Sequence, residues 1–244
     1  MLYYYYHIEV TAFAGKERPK RKTISQSNRG EIQTKNMKKT DYFVNAKQAY
    51  AAEENGIDFY IPAGSLYENT YLDVKFKGDT IDFHTDETPI HRNITLGFDV
   101  SKYSPEDREK LFIARLGYRG RPLYTSTYKK GDRFTTGIRT FGEYTLAADV
   151  TPPEIKPVNF SDGQWISSNN SLRVKISDDL SGIKSYRATV NGKFILMEYE
   201  YKNNTLTHNF DDGKITETEN DFKLIVTDNV GNSTTYESKF FRKN

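Results

Sequence analysis

The chain has 244 residues, 36% of them hydrophobic and 14% aromatic, and its 35 basic and 33 acidic residues nearly cancel. This charge balance argues against a general electrostatic attraction to nucleic acid or to an anionic membrane surface. The absence of Cys excludes disulfides and thiol nucleophiles, and no stretch approaches the ~20 apolar residues of a membrane span. Because strands are enriched in aromatic residues, the 18 Tyr and 15 Phe favour an all-β fold of tandem antiparallel sandwiches.

Residues 1–40 are expected to be the last strands of a truncated β-sandwich followed by a polar linker. Residues 8–16 repeat the plan of residues 224–232, which is a strand, a turn ending in Gly and another strand. The later copy closes a whole domain, whereas almost nothing precedes the earlier one, so the chain is expected to be part of a longer protein. The basic run in residues 16–22 is interpreted as a charged edge strand, with a nucleic-acid patch as the alternative.

Residues 41–149 are predicted to form a complete β-sandwich domain. Ile57, Phe59 and Ile61 alternate with polar residues, which is the pattern of a strand with one buried face. Similar short apolar segments recur through this stretch, at residues 72–76, 94–100, 111–116, 134–138 and 144–146.

Two short helices are also predicted within this domain. Ser104 followed by Pro105 predicts one helical turn, because Ser caps a helix and Pro is tolerated at its first position. Residues 46–54 have helical propensity, and Asn45 and Gly56 supply a start and a stop signal.

Residues 150–244 are predicted to form an immunoglobulin-like β-sandwich domain. Pro152 and Pro153 hold an extended connector that forbids helix, which suits a boundary between two sandwiches. Asn191-Gly192 predicts a tight hairpin turn, because both central positions of that turn need a positive φ. About seven alternating strands follow the connector, as in an immunoglobulin-like domain.

The sequence lacks the patterns of a catalytic site. The four His residues do not have the spacings that readily place two of them on one metal ion; they are His7, His84, His91 and His208. His208 and Asp212 form H-x-x-x-D, but no H-x-H follows. No serine lies in G-x-S-x-G or S-x-x-K, and there is no phosphate-binding loop. We therefore predict no enzyme activity and no catalytic, cofactor-binding or metal site.

Two binding hypotheses remain open. Asp178, Asp179, Asp228 and Asn232 would lie at one end of the last domain and could hold Ca²⁺, although Asp and Asn more commonly satisfy backbone amides in such turns. Exposed aromatic side chains could stack on sugar rings, with core or cross-strand packing as the alternative. The candidates are Tyr103, Tyr118, Tyr124, Tyr128 and Trp165.

Four motifs occur in an order that resembles one known family. Residues 59–69 resemble a strand followed by I-P-x-G-A-L-Y-(D/E)-(D/N), with Ser65 in place of the Ala. Residues 139–153 resemble R-x-F-G-x-Y-T-(V/L) followed by D-x-x-P-P, and residues 176–187 and 226–232 resemble the third and fourth motifs. Together they resemble the C-terminal region of lysostaphin-type zinc metallopeptidase-family proteins of Gram-negative anaerobes.

In that family an upstream domain binds zinc through H-x-x-x-D and H-x-H and cuts peptidoglycan. The resemblance carries none of these ligands over, so it implies non-catalytic modules that position, cap or target a cell-envelope peptidase. It also implies a periplasmic or surface location, with a cell-wall or surface glycan, or the peptidase domain of a parent protein, as partner. The alternative hypothesis is a stand-alone glycan-binding or adhesin-like surface module.

Overall fold

A computed structural model describes residues 38–243, and these residues are almost entirely β-structure. The predicted class of tandem antiparallel β-sandwiches is confirmed. Lys39–Asn244 form one compact unit. The expectations for the truncated sandwich and the basic run fall on residues outside the described part of the chain. No helix among the described residues is long and apolar enough to cross a membrane.

The first twelve strands of the described residues, with one helix, form what we call the middle sandwich. Its elements are β1 (Tyr42–Val44), β2 (Tyr50–Glu54), β3 (Ile57–Ile61), β4 (Thr70–Leu72), β5 (Val74–Lys77), β6 (Thr80–Phe83), β7 (Ile94–Asp99), α1 (Pro105–Lys110), β8 (Leu111–Leu116), β9 (Pro122–Tyr124), β10 (Tyr128–Lys130), β11 (Arg133–Ile138) and β12 (Gly142–Ala148). A short 3₁₀ turn covers Tyr118–Gly120.

Two five-stranded sheets enclose the core of the middle sandwich. Their strand orders are β10-β11-β7-β3-β2 and β5-β6-β12-β8-β9, and β1 pairs with β4 at the side. The alternation of Ile57, Phe59 and Ile61 points these side chains inward, where they are all buried. Phe59 meets Phe83 of the opposite sheet with ring centroids 4.6 Å apart. Large rings thus fill the space between the sheets.

The predicted helix over residues 46–54 is wrong, because this segment is a turn followed by strand β2. Residues Asn55 and Gly56 both have positive φ, so they form a tight turn that folds β2 back onto β3. Tyr50 and Ala52 then pack against the core. Pairing and burial outweigh a weak helical propensity. The predicted turn at Ser104 is confirmed, because the Ser104 side chain caps α1.

The remaining nine strands form the C-terminal sandwich. They are β13 (Glu154–Pro157), β14 (Gln164–Trp165), β15 (Ser171–Ser177), β16 (Ile183–Val190), β17 (Lys193–Ile195), β18 (Glu198–Glu200), β19 (Thr205–Asn209), β20 (Glu219–Asp228) and β21 (Ser233–Phe241). A 3₁₀ turn covers Phe210–Asp212.

Two sheets again face each other across an apolar core. Their orders are β13-β15-β19-β18 and β14-β21-β20-β16-β17, and only β14 and β21 pair in parallel. Strand β20 alternates along its whole length, which buries Phe222, Leu224 and Val226. The hairpin predicted at Asn191-Gly192 joins β16 to β17, with a positive φ at both residues.

Candidate functional site

The two sandwiches meet at a small apolar contact, which we call the seam. Phe112 and Ala114 of β8 are fully buried and form a cluster with Val230 of the C-terminal sandwich. Leu180, which is partly buried, packs against the same cluster. Leu111 and Ile113 point to the other face of β8 and belong to the core of the middle sandwich. Strand β8 is therefore buried on both faces. The unbroken apolar run of β8 is therefore explained by its position between two cores.

Three carboxylates lie together beside the seam, and we call them the acidic junction. Asp149 follows β12 of the middle sandwich, whereas Asp178 follows β15 and Asp228 ends β20. Each residue offers one oxygen atom within 4.8 Å of the corresponding atoms of the other two. Asp149 and Asp228 are buried and Asp178 is partly buried. Within residues 38–243, no other group of three or more His, Asp or Glu side chains meets this distance.

Asp228 organises the turn between the last two strands. Its Oδ1 accepts hydrogen bonds from the amides of Val230 at 2.9 Å and Asn232 at 2.8 Å. Its Oδ2 accepts a bond from Asn232 Nδ2 at 2.7 Å. Asn232 Nδ2 also donates to the carbonyl oxygen of Asp149 at 3.0 Å. The turn thus joins the C-terminal sandwich to the end of the middle one.

Asp178 and Asp149 hold the neighbouring loop from its two sides. Asp178 Oδ2 accepts bonds from the amides of Leu180 at 3.2 Å and Gly182 at 2.6 Å. Between these two residues, the Ser181 amide donates to Asp149 Oδ2 at 3.0 Å. This loop is therefore fixed by one carboxylate of its own sandwich and by one from the other.

The three carboxylates of the acidic junction lack a cationic partner among the described side chains. Burial raises the pKa of Asp178, and repulsion from Asp149 and Asp228 adds to this rise, against the backbone hydrogen bonds that lower it. The Nζ of Lys110 donates to Asn232 Oδ1 at 2.6 Å and does not reach the carboxylates themselves. No Lys or Arg among the described residues forms a salt bridge with the three carboxylates.

The sequence analysis identified two of the three carboxylates. The structure brings Asp178 and Asp228 together, but Asp179 is exposed and contributes only its carbonyl oxygen, which accepts a bond from Arg121 at 3.5 Å. Asn232 is adjacent but bonded to Asp228 and Lys110. Asp149 was missed as a site residue, although the D-x-x-P-P motif that marked the domain boundary contains it.

The three described histidines are not members of this cluster. His208 is buried, and its Nδ1 donates to the Leu196 carbonyl oxygen at 2.9 Å. Its Nε2 has no hydrogen-bond partner and lies 3.7 Å from Asp212 Oδ1. His84 and His91 lie in the middle sandwich, where Tyr67 contacts His91. His7 is outside the described residues.

The aromatic candidates divide into two groups. Tyr103 packs against the core, and its hydrogen bond to Asp79, together with burial, raises the pKa of Tyr103 to about 12. Tyr124 packs on Phe112 with ring centroids 5.3 Å apart. For these two the packing alternative holds. The other three are exposed, and they are Tyr118 at 83%, Tyr128 at 67% and Trp165 at 53%.

Comparisons with known proteins give one family model and one solved structure. Residues 41–149 match the family model of the Zu5-like domain. No curated protein matches the chain. A solved structure of fibronectin(III)-like modules of Clostridium thermocellum CbhA is similar, with 14% identity and a TM-score of 0.30 over 62% of this chain and 86% of that one. Neither match names a lysostaphin-type metallopeptidase, so that resemblance stays a prediction.

Proposed function

We propose that this chain is a non-catalytic structural module, in which two β-sandwiches form one stiff arm that positions an attached domain or a partner. The observation that carries the proposal is the seam with its acidic junction. Flexible linkers between domains are exposed and make few contacts. Here the Thr151 amide donates to Asp149 Oδ1 at 3.1 Å, and Thr234 Oγ1 donates to the Pro153 carbonyl oxygen at 2.5 Å. The connector is held at both ends.

The finer part of the proposal concerns where the arm acts. The ordered series of motifs supports a cell-envelope protein that resembles the C-terminal region of lysostaphin-type peptidases. In this role the arm would hold its partner at a fixed distance. The partner would be a peptidase domain of the parent protein, or a cell-wall or surface glycan. The arm itself would carry no zinc chemistry, because His208 and Asp212 lie apart from the other described His residues.

The stiffness of the arm is tested by a distance measurement between the sandwiches. Since the chain lacks Cys, Lys77→Cys and Lys193→Cys place two spin labels at exposed positions, one on each sandwich. Electron–electron resonance of the full chain should give one narrow distance distribution. Adding Phe112→Ala at the seam should broaden it. A broad distribution without that substitution contradicts the proposal.

The cell-envelope role is tested on the native protein. A mass well above 28.2 kDa, with upstream peptides that carry H-x-x-x-D and H-x-H, supports attachment to a peptidase. The purified chain should leave peptidoglycan intact with or without added zinc. Hydrolysis that a chelator abolishes would contradict a non-catalytic role.

A second candidate, a glycan-binding module, is favoured by the surroundings of Trp165. The exposed indole stacks on Phe241 with ring centroids 5.3 Å apart, and Lys243 Nζ lies 5.7 Å from the ring centre. A supported, half-exposed ring of this kind is suited to stacking on a sugar. Saturable binding of soluble peptidoglycan fragments that Trp165→Ala abolishes and Tyr201→Ala leaves unchanged would favour this function. Tyr201 is the control because it is also an exposed aromatic residue, at 81%.

A further inference from the structure

The acidic junction concentrates negative charge where solvent is excluded. Three carboxylates offer oxygens within 4.8 Å of one another, and two of the three residues are buried. Like charges this close repel one another where water is excluded, and a bound cation would offset that repulsion. The ammonium group of Lys110 donates to Asn232 Oδ1 and not to any of the three carboxylates.

The spacing of the oxygens matches one class of counter-charge. Ca²⁺ binds oxygen ligands at about 2.3–2.6 Å, so two ligands of one ion lie up to roughly 5 Å apart. The backbone amides occupy only part of each carboxylate. Both hydrogen bonds to Asp178 reach Oδ2, and Oδ1 accepts none of them. Asp149 accepts one bond at each oxygen, from Thr151 and Ser181. Carboxylate lone pairs therefore remain for an ion.

Ser181 provides a separate observation at the same place. The residue is 1% exposed, and its hydroxyl is buried with no hydrogen-bond partner, which is costly in a folded protein. Its amide bonds to Asp149, and its carbonyl oxygen accepts from Asn229 Nδ2 at 2.8 Å. The next amide, that of Gly182, bonds to Asp178, so the residue that carries this hydroxyl is held by backbone bonds to two of the three carboxylates. A cation bound there would give this hydroxyl oxygen a partner.

We propose that Asp149, Asp178, Asp228 and the Ser181 hydroxyl bind a Ca²⁺ ion at the seam. All four groups are hard oxygen ligands, and there is no nitrogen or sulfur among them to favour zinc. The ligands come from both sandwiches, so the ion ties the two together. This site revises the expectation of no metal site, with Asp149 taking the place of Asp179. It deepens the proposed structural role, but ion binding is measured independently of stiffness and of the cell envelope.

The first test is calcium binding to the full chain after removal of metals with a chelator. Calorimetric titration at pH 7 should give one ion per chain, with a Kd in about the 0.1–1 mM range of extracellular modules. At 10 mM Ca²⁺ the melting temperature should rise by about 3–10 °C, and Mg²⁺ should give a smaller rise. If calcium neither binds in the titration nor raises the melting temperature, the proposal is overturned.

Matched variants locate the ion. Asp178→Asn keeps an oxygen for the amides of Leu180 and Gly182 but removes the charge, so calcium binding should weaken at least about tenfold. Asp179→Asn, at the exposed neighbouring position, should bind as the unmodified chain does. Ser181→Ala should weaken binding without lowering the metal-free melting temperature, because it removes an unpartnered hydroxyl. Equal binding by Asp178→Asn and Asp179→Asn overturns the site, and so does unchanged binding by Ser181→Ala.

Discussion

Two loops of the C-terminal sandwich carry the same Asp-Asp pair, yet only one has become a site. Asp178-Asp179 follows β15 at the seam, whereas Asp211-Asp212 follows β19 in an exposed 3₁₀ turn. Asp212 Oδ1 accepts a hydrogen bond from the Lys214 amide at 3.0 Å, and the carboxylate stays in contact with water. Both pairs perform the same local task of satisfying amides in a turn.

The difference comes from what covers each loop. The middle sandwich supplies Phe112 as an apolar cover and Asp149 as a second carboxylate beside the Asp178 loop. Burial then raises the pKa of Asp178 and makes its charge costly. The same dipeptide therefore becomes part of a candidate site only where a second domain excludes water from it. Three substitutions test this comparison, and a fourth tests a carboxylate elsewhere that has its own cationic partner.

Removing the apolar cover should have the largest effect. Phe112→Ala should lower the free energy of unfolding by about 3–5 kcal/mol, because a fully buried ring leaves a cavity at the seam. Urea denaturation of the full chain measures it. Phe194→Ala is the control, since that ring is 51% exposed and should cost far less. Similar losses for the two variants would contradict the role of the seam.

Removing Asp228, which organises the turn between β20 and β21, should have the second largest effect. Asp228→Ala leaves the amides of Val230 and Asn232 without their acceptor and removes one of the two acceptors of Asn232 Nδ2, which should cost about 3 kcal/mol. Urea denaturation in the presence of a chelator separates this loss from any lost ion. Asp221→Ala, at an exposed position of the same strand, is the matched control. A loss no greater than that of the control would show that the turn does not depend on Asp228.

The stability that a carboxylate contributes should depend on pH in a characteristic way when the carboxylate has its own hydrogen-bond donors. For Asp79 burial opposes ionisation, but hydrogen bonds from Lys102 and Tyr103 prevail and lower its pKa below the ordinary 3.8. Its stabilising effect is therefore present above the unfolded pKa and lost as pH falls through the lowered folded pKa. Asp79→Asn should be less stable than the unmodified chain at pH 7, and the gap should close below about pH 4. Chemical denaturation across this range measures it; a gap independent of pH contradicts the assignment.

The exposed Asp-Asp pair should tolerate substitution best. Asp212→Ala should change the free energy of unfolding by no more than about 0.5 kcal/mol, as for most exposed positions. The same variant should leave calcium binding unchanged, because Asp212 lies outside the acidic junction. A loss of several kcal/mol would mean that Asp212 compensates the unpartnered Nε2 of buried His208.

Local patterns in the sequence were enough for most of the fold. The alternation in residues such as Phe222, Leu224 and Val226 is a property of one strand, and it predicts which face is buried. The error at residues 46–54 has the opposite origin. Whether Tyr50 and Ala52 form a helix or a strand depends on β3, with which they pair, and that partner cannot be read from the segment alone.

The candidate site was predictable only in part for the same reason. Asp178 and Asp228 occur in turn motifs, so their location at one end of a sandwich follows from the strand pattern. Asp149 belongs to another domain, and its contact with Ser181 depends on how the two sandwiches dock. The buried hydroxyl of Ser181 likewise has no signal in the sequence, because an unpartnered group is defined by its surroundings.

The parallel pairing of β14 with β21 has a mechanical consequence. A force that extends the chain pulls β14 toward its beginning and β21 toward its end. Because the two strands point the same way, the bonds from the Gly163 amide to Lys239 and from the Ile166 amide to Phe241 are loaded in shear together, rather than broken one after another. The parallel pair of β14 and β21 should therefore resist extension of the C-terminal sandwich better than an antiparallel pair at the same place would.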